Sequence, residues 1–203
     1  MYVKICGITT IDAARDALDA GADAIGVVFS PGSKRDLAPA KAAEIFTFAG
    51  SAADRVVVVN KMAALDAARL AIEVGGDVLQ LHGPRYAVTD FEQAAGILPR
   101  IWRAISWRDY AGEPVGSMHE ETLLLDAPDP GSGIAWDLSP LAAAAPAGDW
   151  MLAGGLTPAN VAAAIETTGP WGVDVSSGVE ASPGVKDPAL VRAFIAAARA
   201  AAQ

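Results

Sequence analysis

The chain has 203 residues, 52% hydrophobic and 19% charged, which is the composition of a folded domain with ample material for one large core. Its net charge of −9, from 15 basic and 24 acidic side chains with no basic cluster, argues against nucleic acid and anionic membrane surfaces as partners. A lone cysteine excludes an internal disulfide, and two histidines, His82 and His119, are too few and too scattered for a structural zinc site.

The first strand, Tyr2 to Thr9, is a short apolar run that stops at Gly7; Lys4 and Cys6 share one face, Val3 and Ile5 the other. Thr9 or Thr10 caps a helix from about Ile11 to Ala20, with Gly21 as its stop. Asp23 to Phe29 is a continuous apolar strand of the kind that helices cover on both faces. The loop Ser30 to Arg35 leads to a helix opening at Pro39, a favoured first-turn residue. Arg55 to Asn60 is the third strand and Met62 to Val74 the third helix; Asp77 to His82 is the fourth strand, followed by a helix around Tyr86 to Leu98. Arg100 to Ser106 is the fifth strand, and the irregular stretch Trp107 to Glu121 carries no predicted helix. Thr122 to Asp126 is the sixth strand, followed by the loop Ala127 to Ile134 and a short helix from Asp137 to Ala145. Asp149 to Ala153 is strand seven, Thr157-Pro158 open the next helix, and Trp171 to Val175 is strand eight. Asp187-Pro188 cap the last helix, which runs to about Ala202.

Strand and helix thus alternate through eight units with one helix missing and no linker, so residues 1–203 form one domain. Such alternation implies a parallel sheet with right-handed crossovers. Eight units close into a (β/α)₈ TIM barrel, smaller than the usual ~250 residues. The rival, an open doubly wound sheet, lacks the G-x-G-x-x-G turn after its first strand. No apolar run reaches the roughly 20 residues of a membrane span, and no basic-then-apolar leader precedes the first strand, so a cytoplasmic protein is expected.

In a barrel, functional residues lie at the C-terminal ends of strands. Those ends hold Cys6, Arg35, Asn60, His82, Asp126, Gly154-Gly155, and Asp174 with Ser176-Ser177-Gly178, so seven of the eight positions supply a candidate and only the fifth strand does not. Taken singly, each has a plain structural reading. Cys6 suits a core, Asp126 suits the capping of backbone amides, His82 a hydrogen-bonded loop, and Arg35 beside Lys34 a solvated surface. Asp174 faces into the barrel and needs a partner, for which Lys4 is the candidate. The turns Gly154-Gly155 and Ser176-Ser177-Gly178 follow strands seven and eight, where barrels bind phosphate through backbone N–H groups and hydroxyls.

Taken together, VKICGIT, PGSKR, QLHG, LLLD with a following GSG, AGGL, and GVDVSSGVE with PGVKD resemble the phosphoribosylanthranilate isomerases of tryptophan biosynthesis, in collinear order from Val3 to Asp187. The resemblance implies a barrel without metal or other cofactor, acting alone or as a homodimer on a small phosphoribosyl anthranilate substrate. The implied reaction is the Amadori rearrangement of N-(5-phosphoribosyl)anthranilate to 1-(2-carboxyphenylamino)-1-deoxyribulose 5-phosphate. By the same resemblance Cys6 matches the general base, Asp126 the general acid and Arg35 the group that holds the aryl carboxylate. His82 and Asp174 line the substrate site, and Gly154, Gly155, Ser176, Ser177 and Gly178 match the phosphate cradle. Strands one and six are expected across the barrel from one another, which places acid and base on opposite sides of the sugar. Two departures stand out: APDPGSG, where the family more often has Lys or Thr after the aspartate, and a stretch from Trp107 to Glu121 with no family motif. The rivals are another phosphosugar barrel, such as a histidine-pathway isomerase or a pentulose-phosphate epimerase, and a barrel that binds a phosphometabolite without turning it over. The epimerase wants metal-binding histidines and acids that this chain lacks, and the histidine-pathway isomerase works with two aspartates instead of a cysteine.

Overall fold

A computed structural model describes residues 1–129 and 136–202. Eight parallel strands close in sequence order: β1 (Tyr2–Cys6), β2 (Ala24–Phe29), β3 (Asp54–Val59), β4 (Val78–His82), β5 (Ile101–Ser106), β6 (Thr122–Asp126), β7 (Trp150–Leu152) and β8 (Gly172–Val175). The helices are α1 (Ile11–Asp19), α2 (Pro39–Ala49), α3 (Ala64–Glu73), α4 (Val88–Ala95), α5 (Ser139–Ala143), α6 (Val161–Thr168) and α7 (Pro188–Ala200). The expected barrel is therefore present, with no helix between β5 and β6. The stretch from Trp107 to Glu121 is a run of turns braced by Arg103, whose guanidinium donates to Glu113 at 2.6 Å, and by the Tyr110 hydroxyl, which donates to the Glu113 carbonyl at 2.6 Å. Of the GSG loop after β6, residues 131–133 lie outside the described residues.

Alternation along each strand divides the apolar residues into two cores. Val3, Ile5, Val57, Val59, Leu79 and Leu81 pack outward under the helices, while Cys6, Ala24, Val56, Val58, Trp102, Leu124 and Met151 fill the barrel. The interior also holds polar groups in register: Lys4 beside Asp174 across β1 and β8, and Gln80 beside Trp102 across β4 and β5. At the N-terminal end the Tyr2 ring stacks on Trp171 at 4.5 Å, and its hydroxyl donates to Asp54 at 2.6 Å.

Side chains decide two of the helix starts. Of the two candidate caps for α1 it is Thr10 whose hydroxyl accepts from Ala13 N–H at 3.1 Å. The helix expected to open at Thr157-Pro158 begins at Val161 instead. Asn160 explains the delay: its Oδ1 accepts from Thr157 N–H at 2.7 Å and its Nδ2 donates to the Gly155 carbonyl at 2.9 Å, which holds 157–160 as a turn. The chain after β8 has regular structure of its own. A 3₁₀ turn (Ser177–Val179) leads into a two-stranded antiparallel hairpin, β9 (Glu180–Ser182) and β10 (Val185–Lys186), before α7.

Candidate active site

β1 delivers Cys6 to the rim because Lys4 and Cys6 point inward on alternate residues. The Lys4 ammonium, fully buried, donates to Asp174 Oδ1 at 2.8 Å, so the pairing anticipated from the inward faces of β1 and β8 is real. Burial works against the Lys4 charge, yet Asp174 and Cys6 outweigh it and hold the ammonium above its ordinary pKa. Burial pushes the Cys6 thiol up; the Lys4 and Lys186 ammoniums pull the other way without overcoming it.

β6 ends on Asp126, which is 9% exposed. Its Oδ1 accepts from Ala127 N–H at 2.8 Å, so the capping role is real as well, and its Oδ2 lies 3.7 Å from His82 Nε2 at the end of β4. Burial drives the two groups toward neutrality from opposite directions, lifting the Asp126 carboxyl and lowering the His82 imidazole. In the closed order, β1 and β6 stand three strands apart through β8 and β7, so Cys6 and Asp126 are not diametrically opposed as expected.

Arg35 is half-buried rather than a solvated charge. Its Nε and Nη2 donate to the two oxygens of Glu180 at 2.7 and 2.9 Å. Gly154 and Gly155, at φ +82° and +67°, turn the chain after β7 in a way an L side chain resists. A Cβ on Gly178 would lie 1.8 Å from the Leu156 carbonyl oxygen, so only glycine lets the turns after β7 and β8 meet.

All ten predicted site residues line one cavity of about 270 Å³: Cys6, Arg35, His82, Asp126, Gly154, Gly155, Asp174, Ser176, Ser177 and Gly178. Among the described residues no lining side chain comes from β5, the strand whose end carried no polar candidate. Glu180, Lys186, Asn160 and the buried Gln80 are what the sequence reading missed. Pro183-Gly184 is a local turn signal between the two strands, but nothing local shows that the hairpin lies over the rim.

Residues 3–197 match the family model for N-(5'-phosphoribosyl)anthranilate (PRA) isomerase. The chain belongs to the phosphoribosylanthranilate isomerase family. As a member it is an intramolecular isomerase of tryptophan biosynthesis. The phosphoribosylanthranilate isomerase of Deinococcus radiodurans is 41% identical over 202 residues, spanning 97% of this chain and 96% of its own. That of Roseiflexus sp. (strain RS-1) is 43% identical over 215 residues, spanning 99% of each. Among solved structures, TrpF from Jonesia denitrificans superposes with a TM-score of 0.92 at 50% identity, covering 100% of this chain and 98% of that one. A phosphoribosylanthranilate isomerase in complex with reduced 1-(o-carboxyphenylamino)-1-deoxyribulose 5-phosphate superposes at 0.85 with 33% identity, covering 98% of this chain and 99% of that one. None of the described helices is long and apolar enough to cross a membrane.

Proposed function

We propose that Asp126 is the general acid and Cys6 the general base of the isomerisation, acting on N-(5-phosphoribosyl)anthranilate. The phosphate rests on the turns Gly154-Gly155 and Ser176-Ser177-Gly178, and the aryl carboxylate on the outer edge of Arg35. Asp126 protonates the ring oxygen while the anilino nitrogen pushes its lone pair toward the anomeric carbon; the C–O bond breaks and an iminium forms. Cys6 thiolate then removes the proton from the neighbouring carbon, giving an enolamine that tautomerises to the ketone. His82 and Asp174 line the walls beside the sugar.

The observation that carries this reading is Asp126. Its carboxyl is buried beside a histidine that burial keeps uncharged, so it holds a proton at a higher pH than a solvated aspartate. That is what an acid working near neutrality needs. Cys6 starts from the opposite side: burial favours the thiol, so the base form is the minor one at neutral pH and kcat/KM rises as the thiol ionises. The two cations that favour thiolate, Lys4 and Lys186, are supplied by β1 itself and by the hairpin after β8.

Steady-state kinetics of Cys6→Ser and Asp126→Asn test the assignment. Serine does not ionise near neutrality and asparagine delivers no proton, so each variant loses about 10²–10⁴ in kcat with KM little changed. Residual activity of Asp126→Asn keeps rising into alkaline solution, because the group whose deprotonation cuts off the wild type is gone. A Cys6→Ser variant turning over at the wild-type rate makes Cys6 a core cysteine and moves the base to Asp174 or His82.

A further inference from the structure

The hairpin β9–β10 brings Glu180 and Lys186 to the rim; Lys186 favours the Cys6 thiolate, whereas Glu180 has no part in the reaction steps above. Glu180 is almost wholly buried: its side chain is 4% exposed. Its carboxylate takes the Nε/Nη2 edge of Arg35, the Lys186 ammonium at 2.9 Å and the Gly184 N–H at 3.1 Å. Lys186, equally buried, also donates to the Ser176 carbonyl at 2.9 Å, so the same ammonium touches the turn that follows β8. The hairpin is itself tied down, since Thr9 donates to the Gly184 carbonyl at 2.9 Å. Arg35 in turn crosses Gly7 so closely that a Cβ there would lie 2.5 Å from Arg35 Cδ, directly after Cys6 in the chain.

A guanidinium offers two bidentate edges. Glu180 occupies one. The other, Nη1 with the second N–H of Nη2, has no partner among the described residues, and Arg35 lines the cavity. We propose that Glu180, braced by Lys186, is a positioning residue that clamps the inner edge of Arg35 and thereby aims its outer edge at the aryl carboxylate of the substrate. This inference rests on the reading of Arg35 as the carboxylate-binding group. The clamp acts on ground-state binding, because it fixes one of the long rotamers that an unclamped arginine would have to freeze when substrate arrives. Burial alone would raise the Glu180 carboxyl, but the Arg35 bonds and the Lys186 charge outweigh it and keep it ionised well below neutrality.

Binding of two probes to the full chain, anthranilate and inorganic phosphate, separates the possibilities. Glu180→Gln keeps the shape but gives up the charge; it is expected to weaken anthranilate about tenfold, in line with one lost charge-assisted hydrogen bond. Phosphate affinity is expected to stay at the wild-type value, and in turnover KM rises while kcat holds. Glu180→Asp, which keeps the charge but is one methylene too short to span both nitrogens, is expected to show the same selective loss, and it serves if Glu180→Gln does not fold. Equal weakening of both probes marks Glu180 as a general structural brace and overturns the proposal. Unchanged or tighter anthranilate binding also overturns it, the tighter case identifying Glu180 as a competitor of the ligand. Arg35→Ala decides which statement has failed. If Arg35→Ala weakens anthranilate and Glu180→Gln does not, the clamp is wrong and the role of Arg35 stands; if Arg35→Ala has no effect, the role of Arg35 falls as well.

Discussion

Arg35 shows how much a single residue's role depends on what else touches it. Beside Lys34 it has the sequence context of a solvated charge, and Lys34 is indeed exposed. The Arg35 guanidinium instead lies half-buried against Glu180, with one edge spent on that carboxylate and the residue lining the cavity. A group in that position contributes to binding more than to proton transfer. Arg35→Ala should raise KM at least tenfold and lower kcat much less, whereas Arg35→Lys should recover only part of the loss, because an ammonium offers no fork to either carboxylate. Initial-rate kinetics over a wide substrate range check both, and an unchanged KM in Arg35→Ala would remove the residue from the site.

At the scale of elements, the site depends on how closely two turns approach. The glycine pair after β7 and the serine–glycine turn after β8 face one cavity because Asn160 ties the first turn from behind and Gly178 lets the second meet Leu156. Gly178→Ala forces the Leu156 backbone to move, since carbonyl and methyl cannot share 1.8 Å. The expected outcome is a barrel that still folds, with inorganic phosphate bound at least tenfold more weakly as a competitive inhibitor. Unchanged phosphate inhibition would mean that the anion rests elsewhere on the rim. The same scale explains the delayed start of α6. Thr157-Pro158 has every local mark of a helix opening, but the Asn160 side chain competes for the backbone groups of that turn and wins.

For the whole molecule, charge placement sets the response to acid. Burial tends to raise Asp54, Glu113 and Glu180, but hydrogen bonds prevail, from Arg100 at Asp54, from backbone N–H and then Arg103 at Glu113, and from Arg35 at Glu180; at Asp77 the Arg55 bond is itself the dominant influence, and all four carboxyls sit below their ordinary values. For groups depressed in the folded state, the stabilisation is complete above the unfolded carboxylate pKa of about 4 and is lost as pH falls through the folded values. Asp126 has the opposite sign, because its raised pKa makes ionisation a cost to folding that protonation relieves. Thermal melts should therefore show Tm roughly level from neutral pH down to about 5 and falling steeply below about 4. Asp126→Asn should melt slightly higher than the wild type at pH 7 and should lose that advantage in acid. A Tm that rises on acidification below pH 4 would refute the assignment of these pairs.

The amino-acid sequence by itself determined the barrel, the order of its strands and the set of residues at their C-terminal ends. It could do so because alternation of side chains along a strand, turn chemistry and the position of a motif after a strand are all local properties. Cys6, Asp126 and the two glycine turns were legible for that reason, as was the pairing of Asp174 with Lys4, since both face inward on strands that must close the barrel. Only the tertiary structure decided the partners of Arg35, the hairpin that carries Glu180 and Lys186, and the relative placement of Cys6 and Asp126. Glu180 is 145 residues from Arg35 along the chain. No local pattern encodes that distance, and the two meet because closing the barrel sets β8 beside β1 and folds the segment after it across the rim. The protonation balance of the site has the same origin: burial, which lifts both the Cys6 thiol and the Asp126 carboxyl, is a property of the assembled barrel and not of either residue.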